Sequence, residues 1–311
     1  MKKIAIVGAG RVGEATAEFL AQNDECRDLV LLDVREGAAE GTALDIQESA
    51  PLFRFDTRVR GGTDAKLMTD AELVIVTAGF PRKPGMSRSD VMGANIPIID
   101  AIVDDVLRYA PDAMLLVVGN PVDVLTYRAW QRTGWGRHRV FGQAGVLDSA
   151  RMAAFVALET GFSAQDIDAM VMGGHGDSMV PMTRYTCING VPIDQFLNQE
   201  AIERIVQRTR QGGAEVLALR KSSSAYESPA AAVAAMVDAI AHNRRRLLPT
   251  VCILDGEYGE HDVAMGVPAI LAARGVERVV ELALNDEEAA MFKSSVGQVR
   301  ADLGEMAKLT G

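Results

Sequence analysis

The sequence predicts an α/β protein, with a doubly wound parallel sheet over residues 1–144 and an α+β unit over residues 145–311. Three observations predict it. Short apolar runs of strand length recur through the first half, segments of helical periodicity lie between several of them, and polar residues gather just past the runs. Strands apolar on both faces that alternate with helices make βαβ units, and such sheets bind ligands at the carboxyl ends of their strands.

The runs are residues 4–7, 29–32, 73–76, 114–118 and 139–141, with helical spacing over 12–22 and 95–109. Gly8 follows the first run, Asp33 the second, Thr77-Ala78-Gly79 the third and Gly119-Asn120-Pro121 the fourth. After Ala144 the pattern changes. A helix is expected over 145–160, with Gly161 as its stop, then strand candidates at 169–172 and 184–188. Long helical segments follow at 195–220 and 228–244, then a hairpin-like stretch over 251–280 and a last helix from 286 to about 308. No repeat or low-complexity linker separates the halves, so they are expected to pack closely.

Composition narrows the function classes. The 311 residues carry 32 Lys plus Arg against 42 Asp plus Glu, a net charge of −10, with 48% hydrophobic residues. That is the composition of a soluble globular protein, and its acidic balance opposes nucleic acid and membrane surfaces. Cys26, Cys187 and Cys252 are dispersed and odd in number, so neither a disulfide framework nor a thiolate metal site is indicated, and a cytoplasmic location is expected. The apolar run after Met1-Lys2-Lys3 breaks at Gly8, which reads as a strand and not a signal peptide. No run approaches the roughly 18 uncharged apolar residues of a membrane span.

Gly8-Ala9-Gly10-Arg11-Val12-Gly13 is a G-x-G-x-x-G that follows a strand and opens a helix. The first glycine makes a tight turn, the second lets backbone approach a pyrophosphate, and the third allows close packing of helix on strand. Asp33 stands at the end of the second run, where a carboxylate accepts hydrogen bonds from the adenosine ribose and repels a 2′-phosphate. A Rossmann dinucleotide domain that prefers NAD is the reading, although Arg35 nearby is a possible phosphate partner.

Three further groups carry candidate chemistry. Residues 77–90 hold two prolines and two glycines, which reads as a loop bearing Arg82, Lys83 and Arg88. Gly174-His175-Gly176-Asp177 places an imidazole between two glycines. Asp148 and Arg151 lie three apart, on one face of the helix at the start of the second half. Taken singly, each has a bland reading: a solvated loop, an exposed histidine, a helix salt bridge.

Together with the residues 78–88, Gly119-Asn120-Pro121-Val122-Asp123 and Gly145-Val146-Leu147-Asp148-Ser149-Ala150-Arg151, these motifs resemble the lactate/malate dehydrogenase family. Within it they are most similar to the lactate-dehydrogenase-like malate dehydrogenases. The resemblance implies NAD-dependent oxidation of (S)-malate to oxaloacetate, with His175 as general acid and base. It implies that Asp148 orients the imidazole, that Arg151 grips the substrate's C1 carboxylate, and that Arg88 polarises the C2 oxygen when its loop closes. Asn120 is implied to bind substrate and, with Asn95 and Val118, to border the nicotinamide half of the cofactor.

Arg82 bears on the substrate, because the family's lactate enzymes commonly place a neutral Gln there. A second carboxylate needs a cation: losing one member of a buried charge pair costs about 2–5 kcal/mol. The sequence departs from the family pattern at residues 222–229, where a Gly usually stands near Ser223 and a second Tyr near Glu227. The alternative reading is a lactate or other 2-hydroxy-acid dehydrogenase. An NAD-dependent glycosidase and a non-catalytic NAD-binding module are more distant readings. A homodimer or homotetramer is implied by the resemblance, and the Ala-rich and Met-rich helices offer surfaces for it.

Overall fold

Six strands come first: β1 (Lys3–Val7), β2 (Asp28–Leu32), β3 (Arg58–Gly62), β4 (Leu73–Val76), β5 (Met114–Val117) and β6 (Val140–Gly142). All neighbours among them are parallel, in the order β3-β2-β1-β4-β5-β6. The order reverses between β1 and β4, which opens the crevice where sheets of this topology hold a ligand. The computed structural model describes residues 1–80, 86–221 and 223–310.

The apolar runs become strands because both faces are covered. Ile4, Ile6, Leu29 and Ile75 pack with Ala17 and Leu20 of α1 (Arg11–Gln22), Ala39 and Ala43 of α2 (Ala38–Phe53), and Val233 and Val237 of α7 (Glu227–Ala241). Ala5, Val74, Val76 and Leu115 face the other way, onto Met92, Ile99 and Val103 of α3 (Arg88–Tyr109) and Leu125 of α4 (Val122–Thr133). Full burial of one such aliphatic side chain contributes about 1.5–3 kcal/mol.

Neither α2 nor β3 was expected from periodicity. The helix expected over 95–109 begins instead at Arg88, so Arg88 is its first residue and not part of the preceding loop. The cause is a capping box: Ser87 Oγ accepts from the Asp90 amide at 3.1 Å, and Asp90 Oδ2 accepts from the Ser87 amide at 2.8 Å.

The hairpin-like stretch of the second half does not stay there. β12 (Arg246–Asp255), β13 (His261–Ala272) and β14 (Gly275–Val279) add antiparallel strands beyond β6, giving one nine-stranded sheet. Val251 pairs with Gly142, and a Cβ at Gly142 would meet the Val251 Cβ at 3.0 Å, so the glycine permits the junction. The rest of the second half is α5 (Gly145–Thr160), α6 (Gln199–Arg220), α7, α8 (Asp286–Thr310) and short antiparallel pairs. These pairs are built from β7 (Ile167–Asp168), β8 (Val171–Met172), β9 (Val180–Pro181), β10 (Cys187–Ile188) and β11 (Val191–Pro192).

The strands expected at 169–172 and 184–188 thus shrink to the two-residue β8 and β10. Thr183–Tyr185 is a 3-10 turn from which Arg184 Nε reaches Glu288 Oε1 on α8 at 2.9 Å. Among the described residues, no helix is long and apolar enough to cross a membrane.

Candidate active site

The glycine motif forms the turn between β1 and α1, and each glycine has a distinct reason to be there. Gly8 has φ of +111°, which favours glycine, and a Cβ on it would lie 2.5 Å from the Ala78 amide nitrogen. At Gly13 a Cβ would fall 1.9 Å from the Gly8 carbonyl oxygen, so α1 sits against the turn only because residue 13 has no side chain. Gly10 differs: a Cβ there would meet nothing within 4 Å. Its missing side chain leaves open space over the N-terminus of α1, where no side chain caps the first turn. Exposed amides at a helix N-terminus suit a pyrophosphate, so the cradle fits a dinucleotide.

Asp33 lies one residue past β2. Its Oδ2 accepts from the Ala9 amide at 2.9 Å, which ties the acid to the glycine turn. Burial opposes its ionisation, but hydrogen bonds from Arg35 and Ala9 outweigh that and hold the carboxyl below its ordinary range.

At the opposite end of the sheet edge, His175 sits on a loop fixed from three sides. Gly173 pairs with Gly266 of β13, its amide donating to the Gly266 carbonyl at 2.7 Å. The Gly174 amide donates to Ser295 Oγ of α8 at 2.8 Å, and the His175 amide donates to Asp123 Oδ2 in the first turn of α4 at 2.9 Å. A Cβ at Gly174 would approach Val299 Cγ2 to 2.8 Å. Of the glycines flanking His175, Gly174 is therefore required by close packing, whereas Gly176 meets nothing within 4 Å and is favoured by its φ of +104°.

The imidazole meets Asp148 of α5, with Nδ1 and Oδ2 2.9 Å apart; the Asp148 side chain is 2% exposed and that of His175 20%. An ionised carboxylate only accepts, so Nδ1 carries the proton and Nε2 is left as the exchangeable position. Burial alone would lower the His175 pKa. The charge and hydrogen bond of Asp148, helped by Asp123, outweigh burial and raise it.

Arg151, one turn along α5, places Nη1 3.2 Å from Asp148 Oδ1. Two of the three groups that sequence alone left as separate candidates, His175 and the Asp148/Arg151 pair, thus form one constellation. Its outer wall is α6, where a Cβ at Gly212 would lie 3.1 Å from Arg151 Cδ.

The sequence matches the description "lactate/malate dehydrogenase, NAD binding domain" over residues 2–142 and "lactate/malate dehydrogenase, alpha/beta C-terminal domain" over residues 145–310. The chain belongs to the lactate/malate dehydrogenase family. A malate dehydrogenase of Thioalkalivibrio sulfidiphilus is 69% identical over 306 residues, covering 98% of this chain and all of that one. The structure of the malate dehydrogenase from Salinibacter ruber superposes with a TM-score of 0.95 at 40% identity, covering 99% of this chain and 98% of that one. The lactate dehydrogenase from Cryptosporidium parvum, solved with lactic acid and NAD, also reaches 0.95, at 34% identity over 98% of each chain. Fold alone therefore does not separate the two substrates within the family.

Other residues that the family resemblance singled out are placed as follows. Val118 is buried just past β5, its amide donating to the Val76 carbonyl at 2.9 Å. Asn120 is exposed and precedes a cis peptide bond to Pro121. Asn95 is buried, and its amide group is spent on backbone: Oδ1 accepts from the Phe80 amide at 2.7 Å, and Nδ2 donates to the Asn120 carbonyl at 2.7 Å and the Phe80 carbonyl at 3.2 Å. Asn95 thus staples the segment after β4 to the turn after β5. Arg82 and Lys83 lie outside the described residues, as does the side chain of Arg88.

Sequence reasoning assigned no role to Asp123, Ser295 or Gly212. For Gly212 a signal was present: Gly212-Gly213 stand in the middle of a helix, where each costs about 1 kcal/mol against Ala and so calls for a packing reason. Glu25, Asp238 and His242 also approach one another, within 4.8 Å, but Arg244 Nε already pairs with Asp238 at 2.8 Å, and the group reads as an ion-pair cluster.

Proposed function

We propose that this protein is an NAD-dependent malate dehydrogenase in which His175 carries the proton. The observation that carries the reading is the contact of His175 Nδ1 with the buried carboxylate of Asp148, whose second oxygen meets Arg151. The Gly8–Gly13 turn and Asp33 would hold NAD, and the bound nicotinamide would supply a hydride acceptor for C2 of malate. His175 Nε2 takes the C2 hydroxyl proton as the carbonyl of oxaloacetate forms, and returns it in the reverse direction. Asp148 keeps the imidazole in the tautomer that leaves Nε2 available and stabilises the imidazolium.

Arg151 grips the C1 carboxylate through its fork, and Asn120 donates to the substrate. Arg88 polarises the C2 oxygen, and Arg82 pairs with the C4 carboxylate. Asn95 acts on the cofactor side by setting the position of the Phe80 and Asn120 backbone, and Val118, buried just past β5, belongs to the same side. Malate over lactate is supported by the cation at position 82 and by the name of the 69% identical relative.

The division into an NAD-binding unit, 1–144, and a catalytic unit, 145–311, belongs to the same proposal. So does a homo-oligomer, supported by Leu44, Leu52 and Phe53, which stand exposed on α2. A cytoplasmic location accords with three unpaired thiols.

His175→Asn is the test. It is expected to leave NADH binding intact and to lower oxaloacetate reduction by about 10²–10⁴-fold. Turnover close to that of the native protein would refute the assignment.

A further inference from the structure

Within the dinucleotide site, the chain's own groups fully engage Asp33. A carboxylate offers about four acceptor positions. Here Oδ2 accepts from the Ala9 amide at 2.9 Å and from Arg35 Nη2 at 3.2 Å, while Oδ1 accepts from the Arg35 amide and Arg35 Nε, each at 3.0 Å. Arg35 Nη2 also donates to the Ala9 carbonyl at 3.0 Å, so the guanidinium lies across the mouth of the glycine turn. An adenosine ribose that is to donate two hydroxyls to Asp33 must displace that side chain. Displacement is open to it, since the Arg35 side chain is 64% exposed and the Asp33 side chain only 10%.

We propose that Arg35 is a latch on the adenosine end of the site: it covers Asp33 in the free protein, and on swinging away it offers its guanidinium to a 2′-phosphate. The proposal rests on the dinucleotide reading above and adds a ligand to it, a 2′-phosphorylated nicotinamide dinucleotide. Asp33 repels such a phosphate, and Arg35 opposes that repulsion with a planar fork suited to phosphate. Two consequences follow from one residue. NADH binds more weakly than Asp33 alone would allow, and NADPH is excluded less strictly than an acid at this position implies.

Direct binding separates these effects, with NADH and NADPH each titrated against the protein by nicotinamide fluorescence in the absence of substrate. Arg35→Ala is expected to tighten NADH severalfold, by removing the competitor, and to weaken NADPH about tenfold, by removing a charge-assisted contact. Arg35→Lys keeps the charge but not the fork, so it is expected to tighten NADH while retaining most NADPH affinity. Weaker NADH binding by Arg35→Ala, or an unchanged NADH-to-NADPH affinity ratio, overturns the latch and leaves the dehydrogenase reading standing. If the native protein binds neither dinucleotide, both fall together.

Discussion

His175 and Asp148 share a 2.9 Å contact between Nδ1 and Oδ2, with the carboxylate at the start of α5 and the imidazole on the loop after β8. The contact crosses 27 residues of chain and exists because Gly173 and Gly174 let that loop press against β13 and α8. Its consequence is electrostatic. A histidine that burial alone would discharge is kept able to hold a proton.

Oxaloacetate reduction needs the imidazolium, so its rate is expected to fall as pH rises through the raised His175 pKa. In Asp148→Asn the support is gone, and the falling limb moves to lower pH. At neutral pH the reduction rate drops about 10²–10⁴-fold. A kcat/KM profile for oxaloacetate in both proteins checks this; coincident limbs would rule out the pairing.

Stability should follow the same group. A histidine whose folded pKa lies above its unfolded value of 6.5 contributes stability that is complete below 6.5 and is lost as pH rises through the folded value. The difference in Tm between the native protein and His175→Asn is therefore expected to shrink with rising pH. Calorimetry at several pH values reads it, and a gap that widens would reverse the sign of the argument.

Gly212→Ala separates folding from function. A Cβ there stands 3.1 Å from Arg151 Cδ, the flexible stem of the arginine, while alanine in a helix interior gains about 1 kcal/mol over glycine. Tm is expected to hold or rise. The KM for oxaloacetate is expected to rise about tenfold as the guanidinium is pushed off its position. Unchanged KM would show that Arg151 does not need this clearance.

The glycine turn gives a second contrast. Gly10→Val projects into open space and is expected to leave Tm near its native value while NADH binding is largely lost, whereas Gly13→Ala forces a clash with the Gly8 carbonyl and costs about 1–3 kcal/mol of stability. Urea unfolding and NADH titration distinguish them. Equal stability losses in both variants would contradict the assigned roles.

The parts of this molecule that sequence makes legible are those where one residue type answers one physical demand. Gly8, Gly10, Gly13 and Asp33 are of that kind, and so are the runs that became β1, β2, β4 and β5. Helix α2 escaped because its buried face is Ala39, Ala43, Ile46 and Ala50, with Gly41 and Pro51 in its span, so alanines carry a periodicity that larger side chains usually announce. Strand β3 reads Arg-Val-Arg-Gly-Gly and is held by pairing to β2, with little apolar signal of its own. The position of Asp123 under the His175 loop depends on a contact 52 residues away, which no local pattern encodes.

Substrate choice is measured most directly by NADH oxidation with oxaloacetate and with pyruvate, side by side, in the native protein and in Arg82→Gln. The expected result is a native kcat/KM for oxaloacetate that exceeds that for pyruvate by roughly 30-fold to several thousandfold, with that preference collapsing in the variant. Pyruvate turned over as well as oxaloacetate by the native protein, or relative rates left unchanged by Arg82→Gln, would contradict it.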